Sequence, residues 1–251
     1  MTHLHRIKEI TMERLKRLIT DIHPKKIVDL ATGNGSFIQT LLSMDIDFDS
    51  IIGIDSSITA IEAAKKAVIH DKVTFMQMDI EDITLQKYSF DAVCLSNSIH
   101  HMQDLNKCIG IMTELIRPGG ILLFNEMYSG SLNQQQVTHT LIHHFWAEID
   151  RANNIVHNET LDRKEIIKAI KGHERIGEVD IWNLEVTDQK PLKPEDYVLL
   201  KDTLVKSLDR VKDHKDFEKF EIKAAMLEKR LDTIGFLPAP QIIVVAKVMT
   251  Y

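Results

Sequence analysis

The chain has 251 residues, of which 44% are hydrophobic and 27% are charged, and its net charge is -6. This size fits one large domain, and the acidic balance argues against nucleic acid as a partner. The two cysteines, Cys94 and Cys108, are expected to be buried thiols, and no apolar run is long enough to span a bilayer. These features predict a cytoplasmic protein that contacts neither nucleic acid nor a membrane.

Strands alternate with helices over the first 127 residues. An amphipathic helix within residues 1–22 is expected to cover the sheet, and Pro24 ends it. The predicted strands are residues 26–30, 51–55, 73–78, 90–95 and 121–126. The predicted helices are residues 36–44, 57–70 and 105–116, and a turn is predicted at residues 117–120. Because the strands are continuous apolar runs, helices should cover both faces of a mostly parallel sheet.

The pattern changes after residue 128. Residues 129–172 and 191–234 are expected to be helical insertions that cover the cleft. Their predicted helices are residues 134–150, 161–171, 194–212 and 214–234. Strands at residues 179–186 and 242–248 would bring the sheet to seven. The sequence therefore predicts one domain over residues 1–251, with an α/β fold built on a doubly wound, mostly parallel seven-stranded sheet.

A glycine turn follows the first predicted strand. The stretch Asp29-Leu30-Ala31-Thr32-Gly33-Asn34-Gly35 runs from a buried strand into a helix, which is where nucleotide-like ligands bind in open α/β sheets. A dinucleotide site would need a third glycine, and Ile38 occupies that position, so a nicotinamide cofactor is disfavoured. On this turn alone, an ordinary tight connection between strand and helix remains open.

Two further acids end predicted strands. Asp55 ends the second strand, where an acid can accept hydrogen bonds from ribose hydroxyls, although it could instead cap the following helix. Asp79 follows the third strand, and the alternative there is a solvated acidic turn that includes Glu81. An acid at the Asp55 position does not separate a dinucleotide site from other nucleoside sites.

The fourth strand carries the most specific pattern. Phe90-Asp91-Ala92-Val93 leads into Ser96-Asn97-Ser98-Ile99-His100-His101, and Arg117-Pro118-Gly119-Gly120 precedes the fifth strand. With the spacing Asp29-x-Ala31-x-Gly33-x-Gly35, these segments resemble the Rossmann-like class I S-adenosylmethionine-dependent methyltransferases. The resemblance covers residues 28–124 and the last strand, and Ala31 stands where that family usually has its first glycine.

The resemblance implies a set of cofactor contacts. Asp79 would accept from the adenine amine, Ile80 would offer its backbone N–H, and Met78 would contact the adenine face. Ser96 and Asn97 would face the methionine part of the cofactor. The full set assigned to S-adenosylmethionine, and to its product S-adenosylhomocysteine, is Asp29, Ala31, Thr32, Gly33, Asn34, Gly35, Asp55, Ser56, Met78, Asp79, Ile80, Ser96, Asn97 and His101.

Catalysis would depend mainly on holding the reacting atoms in line, because a sulfonium methyl is already activated. A general base is needed only if the acceptor arrives protonated, and His100 and His101 are the candidates for it. The alternative is that one histidine packs under the loop while the other touches the cofactor.

A second histidine group lies in residues 139–157. His139 and His143 are four residues apart, as are His144 and Glu148, so each pair would share a helix face. A metal site involving His157 can be drawn, but no compact ligand motif is present, and we assign no metal ligands from the sequence. We expect His143, His144 and Trp146 to line the acceptor site.

The predicted function is methyl transfer from S-adenosylmethionine to a small-molecule acceptor. Two alternatives remain: a methyltransferase-like module that binds the cofactor without turnover, and, less favoured because of Ile38, an NAD-type oxidoreductase. The apolar positions of the helices in residues 191–234 are available either to cover the cleft or to form a homodimer contact.

Overall fold

The computed structural model describes residues 3–184 and 193–249, and it contains a seven-stranded sheet in the order β3-β2-β1-β4-β5-β7-β6. The strands are β1 Lys26–Leu30, β2 Ser50–Asp55, β3 Val73–Gln77, β4 Phe90–Ser96, β5 Ile116–Met127, β6 Ile176–Leu184 and β7 Gln241–Val248. The helices are α1 His3–Ile22, α2 Ser36–Ser43, α3 Ile58–Ala67, α4 Leu105–Leu115, α5 Gln134–Ala152, α6 Arg163–Lys171, α7 Pro194–Ser207 and α8 Phe217–Thr233. The predicted α/β fold class is confirmed.

Strands β1 to β5 run parallel to one another, whereas β7 is antiparallel to both β5 and β6. The strand order reverses direction between β1 and β4, because β2 and β3 lie on one side of β1 and β4 and β5 lie on the other. Ligands of such sheets bind outside the carboxyl ends of the strands at this switch point. The fold therefore directs attention to the loops that follow β1 and β4.

Both faces of the sheet are buried, as the apolar strands predict. Val28 and Leu30 of β1 belong to one hydrophobic cluster, and Ile27 belongs to the cluster on the opposite face. Helix α1 covers the second face, where Leu15 and Ile19 are almost fully buried. Both cysteines are free and buried, as expected.

A third hydrophobic cluster joins α5, α7 and α8 into what we call the helical cap. Ile142 and Phe145 of α5 meet Leu204 of α7 and Leu227 and Leu231 of α8 there, and all five are buried. The helical content expected in this part of the chain is present. Residues 185–186 of the predicted sixth strand and residues 191–192 of the second insertion lie outside the described residues.

Helix α6 differs from the expected covering role. Its apolar residues Ile166 and Ile170 are four apart, and both pack into the cluster on the sheet rather than into the helical cap. The physical reason is that α6 has a single narrow apolar stripe, and packing on one face of the sheet is enough to bury it. Among the described residues, none of the helices combines the length and the apolar character that crossing a bilayer requires.

The predicted turn at residues 117–120 is instead the irregular beginning of β5, which starts at Ile116. The pairing register with β4 shifts between Phe90 and Ala92, and Gly119 has a φ of 79°. The turn residues therefore produce a bulge within a strand, because a single left-handed glycine can be absorbed without ending the pairing.

Candidate active site

The glycine turn after β1 has a backbone that few residues tolerate. Ala31, Gly33 and Gly35 all have positive φ angles, of 49°, 55° and 80°. A Cβ on Gly33 would meet open space, whereas one on Gly35 would lie 3.1 Å from Val68 Cγ2. Ala31, where the family usually has glycine, adopts a left-handed conformation that costs about 1–2 kcal/mol for a residue with a Cβ. The strain fits a loop that is shaped for a ligand rather than for stability.

Asp29 lies beneath this turn with only 1% of its surface exposed. Thr32 Oγ1 donates to Asp29 Oδ2 at 2.7 Å, while Oδ1 is buried without a hydrogen-bond partner among the described residues. Burial raises the pKa of this carboxyl to about 7. A buried acceptor without a donor is costly, so this oxygen points to a donor from outside the chain.

Asp55 fixes the turn from β2. Its Oδ2 accepts from Gly33 N–H and its Oδ1 accepts from Ser57 N–H, each at 2.9 Å. The cap of α3 is Ser57, whose hydroxyl accepts from Ala60 N–H, so the alternative that Asp55 caps this helix is wrong. Each Asp55 oxygen keeps a further lone pair, which leaves acceptors available at the edge of the turn.

Asp79 lies two residues after β3 and directly before a short 3-10 helix, Ile80–Asp82. Its Oδ1 accepts from Glu81 N–H at 2.9 Å, so Asp79 caps this turn, a role that the sequence did not predict. Among the described residues, none donates a hydrogen bond to the second carboxylate oxygen. Asp79 can therefore cap its own turn and still accept one hydrogen bond from a ligand.

These residues surround a cleft of about 740 Å³ at the carboxyl ends of β1, β2 and β4. Every residue assigned to the cofactor from the sequence lines it except Gly35 and Met78. Gly35 serves as the cap of α2, and Met78 packs against the sheet. The lining also includes residues that were not assigned to the cofactor from the sequence: Ser36, Phe37, Glu81, Ser98, Met102, Gln103, Ile155 and Val156.

Most of the missed lining residues directly adjoin the predicted motifs, so a wider window around each motif would have found them. Ile155 and Val156 are different, because they come from the loop after α5 and carry no local signal. The end of β4 is tied to the glycine turn by Ser98 Oγ, which donates to the carbonyl oxygens of Ser96 at 2.9 Å and Ala31 at 3.3 Å. The end of β4 and the glycine turn are therefore joined by hydrogen bonds into one wall of the cleft.

The two candidate bases have separate positions. His101 lines the cleft, and its Nδ1 lies 3.2 Å from the carbonyl oxygen of Val156, so Nδ1 carries the proton and Nε2 carries the lone pair. Burial, helped by His100, lowers the pKa of His101. His100 is buried, lies outside the cleft lining, and contacts Glu126. Only His101 is placed to meet a ligand in the cleft.

The histidines of α5 separate in a way that helical spacing did not predict. His139 Nδ1 accepts from Ala239 N–H at 2.8 Å, and its ring contacts Phe236, whereas His143 turns toward His100 and His157. His144 is hydrogen-bonded to Thr160.

Trp146 packs into the helical cap. His143, His144 and Trp146 lie outside the lining of the large cleft, and their predicted contact with the acceptor stays a prediction.

Two curated relatives match part of the chain. A demethylmenaquinone methyltransferase of Bacteroides fragilis is 29% identical over 108 residues, which are 41% of this chain and 44% of the relative. A protein-lysine N-methyltransferase of Schizosaccharomyces pombe is 31% identical over 126 residues, which are 43% of this chain and 53% of the relative. The chain thus spans about half the length of the curated relatives it matches.

A solved structure shares the fold over most of the chain. It is a phosphoethanolamine N-methyltransferase of Haemonchus contortus in complex with phosphomonomethylethanolamine and S-adenosylhomocysteine. It superposes with a TM-score of 0.52 at 16% identity and covers 90% of this chain and 49% of its own. The family model described as a methyltransferase domain matches residues 23–190. The chain belongs to this methyltransferase-domain family.

Proposed function

We propose that this protein transfers a methyl group from S-adenosylmethionine to a small-molecule acceptor. The observation that carries the proposal is the row of carboxylates Asp29, Asp55 and Asp79 along one cleft, at the ends of three neighbouring strands. Membership in the methyltransferase-domain family supports it. When bound, the cofactor would supply a methyl group on a positively charged sulfur.

The residues of the cleft fit such a cofactor. The buried Asp29 Oδ1 offers an acceptor for an ammonium group, and the cofactor's methionine part carries one. Asp55 has spare lone pairs for the two ribose hydroxyls, and Asp79 has an oxygen for the adenine amine. Ile80 adds an apolar wall beside Asp79. Acidic side chains around a cationic ligand also favour its binding electrostatically.

A small acceptor is favoured by what surrounds the mouth of the cleft. Ile155 and Val156 contribute apolar surface from the loop that follows α5, next to the helical cap. Most of the cleft lining is polar, and a cleft that combines convergent polar groups with apolar side chains suits a small organic molecule. The match to a protein-lysine methyltransferase makes a protein acceptor the outcome that the assay below must distinguish.

We assign the role of general base to His101 rather than to His100. His101 Nε2 has a free lone pair, because Nδ1 faces the Val156 carbonyl, and the lowered pKa keeps the ring neutral near pH 7. A neutral imidazole at the wall of the cleft can take the proton of an acceptor hydroxyl or thiol as the methyl carbon is attacked, and that of an ammonium before the freed lone pair attacks.

The test begins with calorimetric titration of the protein with S-adenosylhomocysteine. Wild type should bind, and Asp55→Ala should weaken binding at least about 100-fold, because hydrogen bonds to a charged group contribute about 1.5–3 kcal/mol each and two are lost. Asp213→Ala, which removes an exposed carboxylate elsewhere, is the matched control and should bind as wild type does.

Turnover is tested with a labelled methyl donor and panels of small molecules, peptides and proteins. Label in small molecules alone supports the proposal, and label in protein alone corrects the acceptor. Binding of the cofactor product without transfer to any panel would make the protein a binding module. Tighter binding of a nicotinamide dinucleotide than of S-adenosylhomocysteine would overturn the proposed function altogether.

A further inference from the structure

Four histidine rings meet beside the cleft, and His101 is the one among them that lines it. The ring centroids of His100 and His143 are 4.6 Å apart, those of His100 and His157 are 5.1 Å apart, and those of His143 and His157 are 4.8 Å apart. His101 lies beside this group, 4.4 Å from His100 and 4.2 Å from His157 by ring centroid. The proposed methyl transfer uses only His101, so the other three rings need a separate explanation.

Two carboxylates, Glu126, which is buried, and Asp150, which is partly buried, fix the orientation of two of these rings. Glu126 Oε1 lies 3.1 Å from His100 Nδ1, and the same carboxylate accepts from the backbone N–H of Ile99 and Met127. Because this carboxylate acts as an acceptor, His100 Nδ1 is the donor and Nε2 carries the lone pair.

The second pairing repeats this arrangement. Asp150 Oδ2 lies 2.6 Å from His157 Nδ1, and Asp150 Oδ1 pairs with Arg210 at 2.5 Å. His157 Nε2 therefore also carries a lone pair. A carboxylate behind the remote ring nitrogen is the arrangement that supports histidines whose other nitrogen binds a metal.

The third ring completes the group. His143 and Asp150 lie seven residues apart on the same face of α5, and His143 Nε2 is 3.3 Å from His157 Nε2. His143 Nδ1 is buried and has no hydrogen-bond partner among the described residues. The Nε2 atoms of His143 and His157 therefore face each other at 3.3 Å within this group.

We propose that His100, His143 and His157 bind one divalent transition-metal ion of the zinc class. One ring nitrogen of each lies within 4.8 Å of the others. Tetrahedral zinc with bonds of about 2.0–2.1 Å holds its ligand nitrogens about 3.3 Å apart. The His143–His157 separation of 3.3 Å matches this spacing, and His100 offers a ring nitrogen within 4.8 Å of both, which would have to move closer to complete the set.

Three protein ligands leave one coordination position open, as in catalytic rather than structural zinc sites. His101 contacts two of the three rings and lines the cleft, so the site adjoins the cofactor pocket. Resting on the proposed function, the open position would take the oxygen or sulfur of a hydroxyl or thiol acceptor.

The ion would make the acceptor more acidic, and His101 would take its proton. The acceptor lone pair then forms the bond to the methyl carbon, and the carbon–sulfur bond breaks with its electrons going to sulfur, which leaves S-adenosylhomocysteine.

The experiment uses the full chain, freed of metal with a chelator and then titrated with Co²⁺, whose visible absorption is strong in tetrahedral nitrogen sites. Zn²⁺ competition and elemental analysis give affinity and stoichiometry. Wild type should bind about one ion per chain with a tetrahedral cobalt spectrum. His143→Gln should lose stoichiometric binding, and Asp150→Asn should weaken it about 10- to 100-fold.

The matched control is His139→Gln. This histidine lies one turn earlier on α5, but it bonds to the backbone of Ala239, so the variant should bind the ion as wild type does. Circular dichroism checks that each variant is folded. If His143→Gln does not fold, the stoichiometry of wild type and the affinity of Asp150→Asn decide the matter.

Failure of wild type to bind one ion, a cobalt spectrum without tetrahedral character, or equal binding by wild type and His143→Gln would overturn the metal site. Titration with S-adenosylhomocysteine in the chelated protein separates this failure from failure of the proposed function. Cofactor binding without metal binding would refute only the proposed metal site. Metal binding without cofactor binding would refute only the proposed methyl transfer.

Discussion

The buried carboxyl of Asp29 should make the protein less stable as the pH rises. Replacing Asp29 with Asn keeps the shape of the side chain and removes the ionisable group. Burial, opposed by the bond from Thr32 and reinforced by Asp55, raises the pKa from 3.8 to about 7 in the folded chain. The folded state therefore holds a proton that the unfolded state has lost over this interval, so wild-type stability falls as the pH rises through it.

The difference between the two pKa values corresponds to about 4 kcal/mol of lost stability once the pH exceeds 7. Asp29→Asn escapes this loss, although its buried amide N–H₂ has no acceptor where Oδ1 lies unpartnered and costs about 1–3 kcal/mol. The variant should therefore be more stable than wild type by about 1–3 kcal/mol above pH 7. That advantage should shrink as the pH falls, and it should vanish or reverse near pH 4.

Urea denaturation followed by the fluorescence of Trp146 and Trp182 at several pH values measures this difference in the free energy of unfolding. S-adenosylhomocysteine should bind more weakly to Asp29→Asn above pH 7, since the variant lacks the negative charge that faces the ligand. A difference in stability that does not change with pH would refute the reasoning. So would a variant that is less stable than wild type at every pH.

Two further predictions concern the helical cap. Burial lowers the pKa of His139 to about 4, so wild type should lose up to about 3 kcal/mol of stability as the pH falls from 6.5 toward 4. His139→Gln should lose less stability over the same pH range in urea denaturation. Equal losses in the two proteins would contradict this. Phe145→Ala removes a fully buried ring from the cap and should cost about 3–5 kcal/mol in the same assay, whereas a change below about 1 kcal/mol would mean that the cap repacks freely.

The sequence predicted the parts of the site that lie next to each other along the chain. The Asp29–Gly35 turn and the residues at the ends of β2 and β4 form local motifs, and each motif has its own strand to hold it. The motif at the end of the third strand also predicted that Met78 contacts the cofactor, but this side chain packs on the sheet. A motif identifies its segment, but the direction of each side chain depends on packing with distant residues.

The histidine group shows where sequence reasoning ended. Spacing paired His139 with His143, but the structure gives them different partners, because Ala239 and Phe236 hold one and the neighbouring histidines hold the other. His100 and His157 come from other segments, and no local pattern brings them together. His143 and Asp150 are seven residues apart in the sequence. Their common role follows only from the loop after α5, which brings His157 into contact with Asp150.

The position of β7 has a consequence for how the chain is made. This strand lies between β5 and β6, so β6 has no partner in the sheet until residues 241–248 have been synthesised. Until then the long apolar β5 presents an unpaired edge, which is a template for pairing with another chain. The strands thus join the sheet in an order that differs from the order of their translation. Pairing of β7 with β5 allows the sheet to be completed, and it removes the exposed edge of β5 that could otherwise pair with another chain.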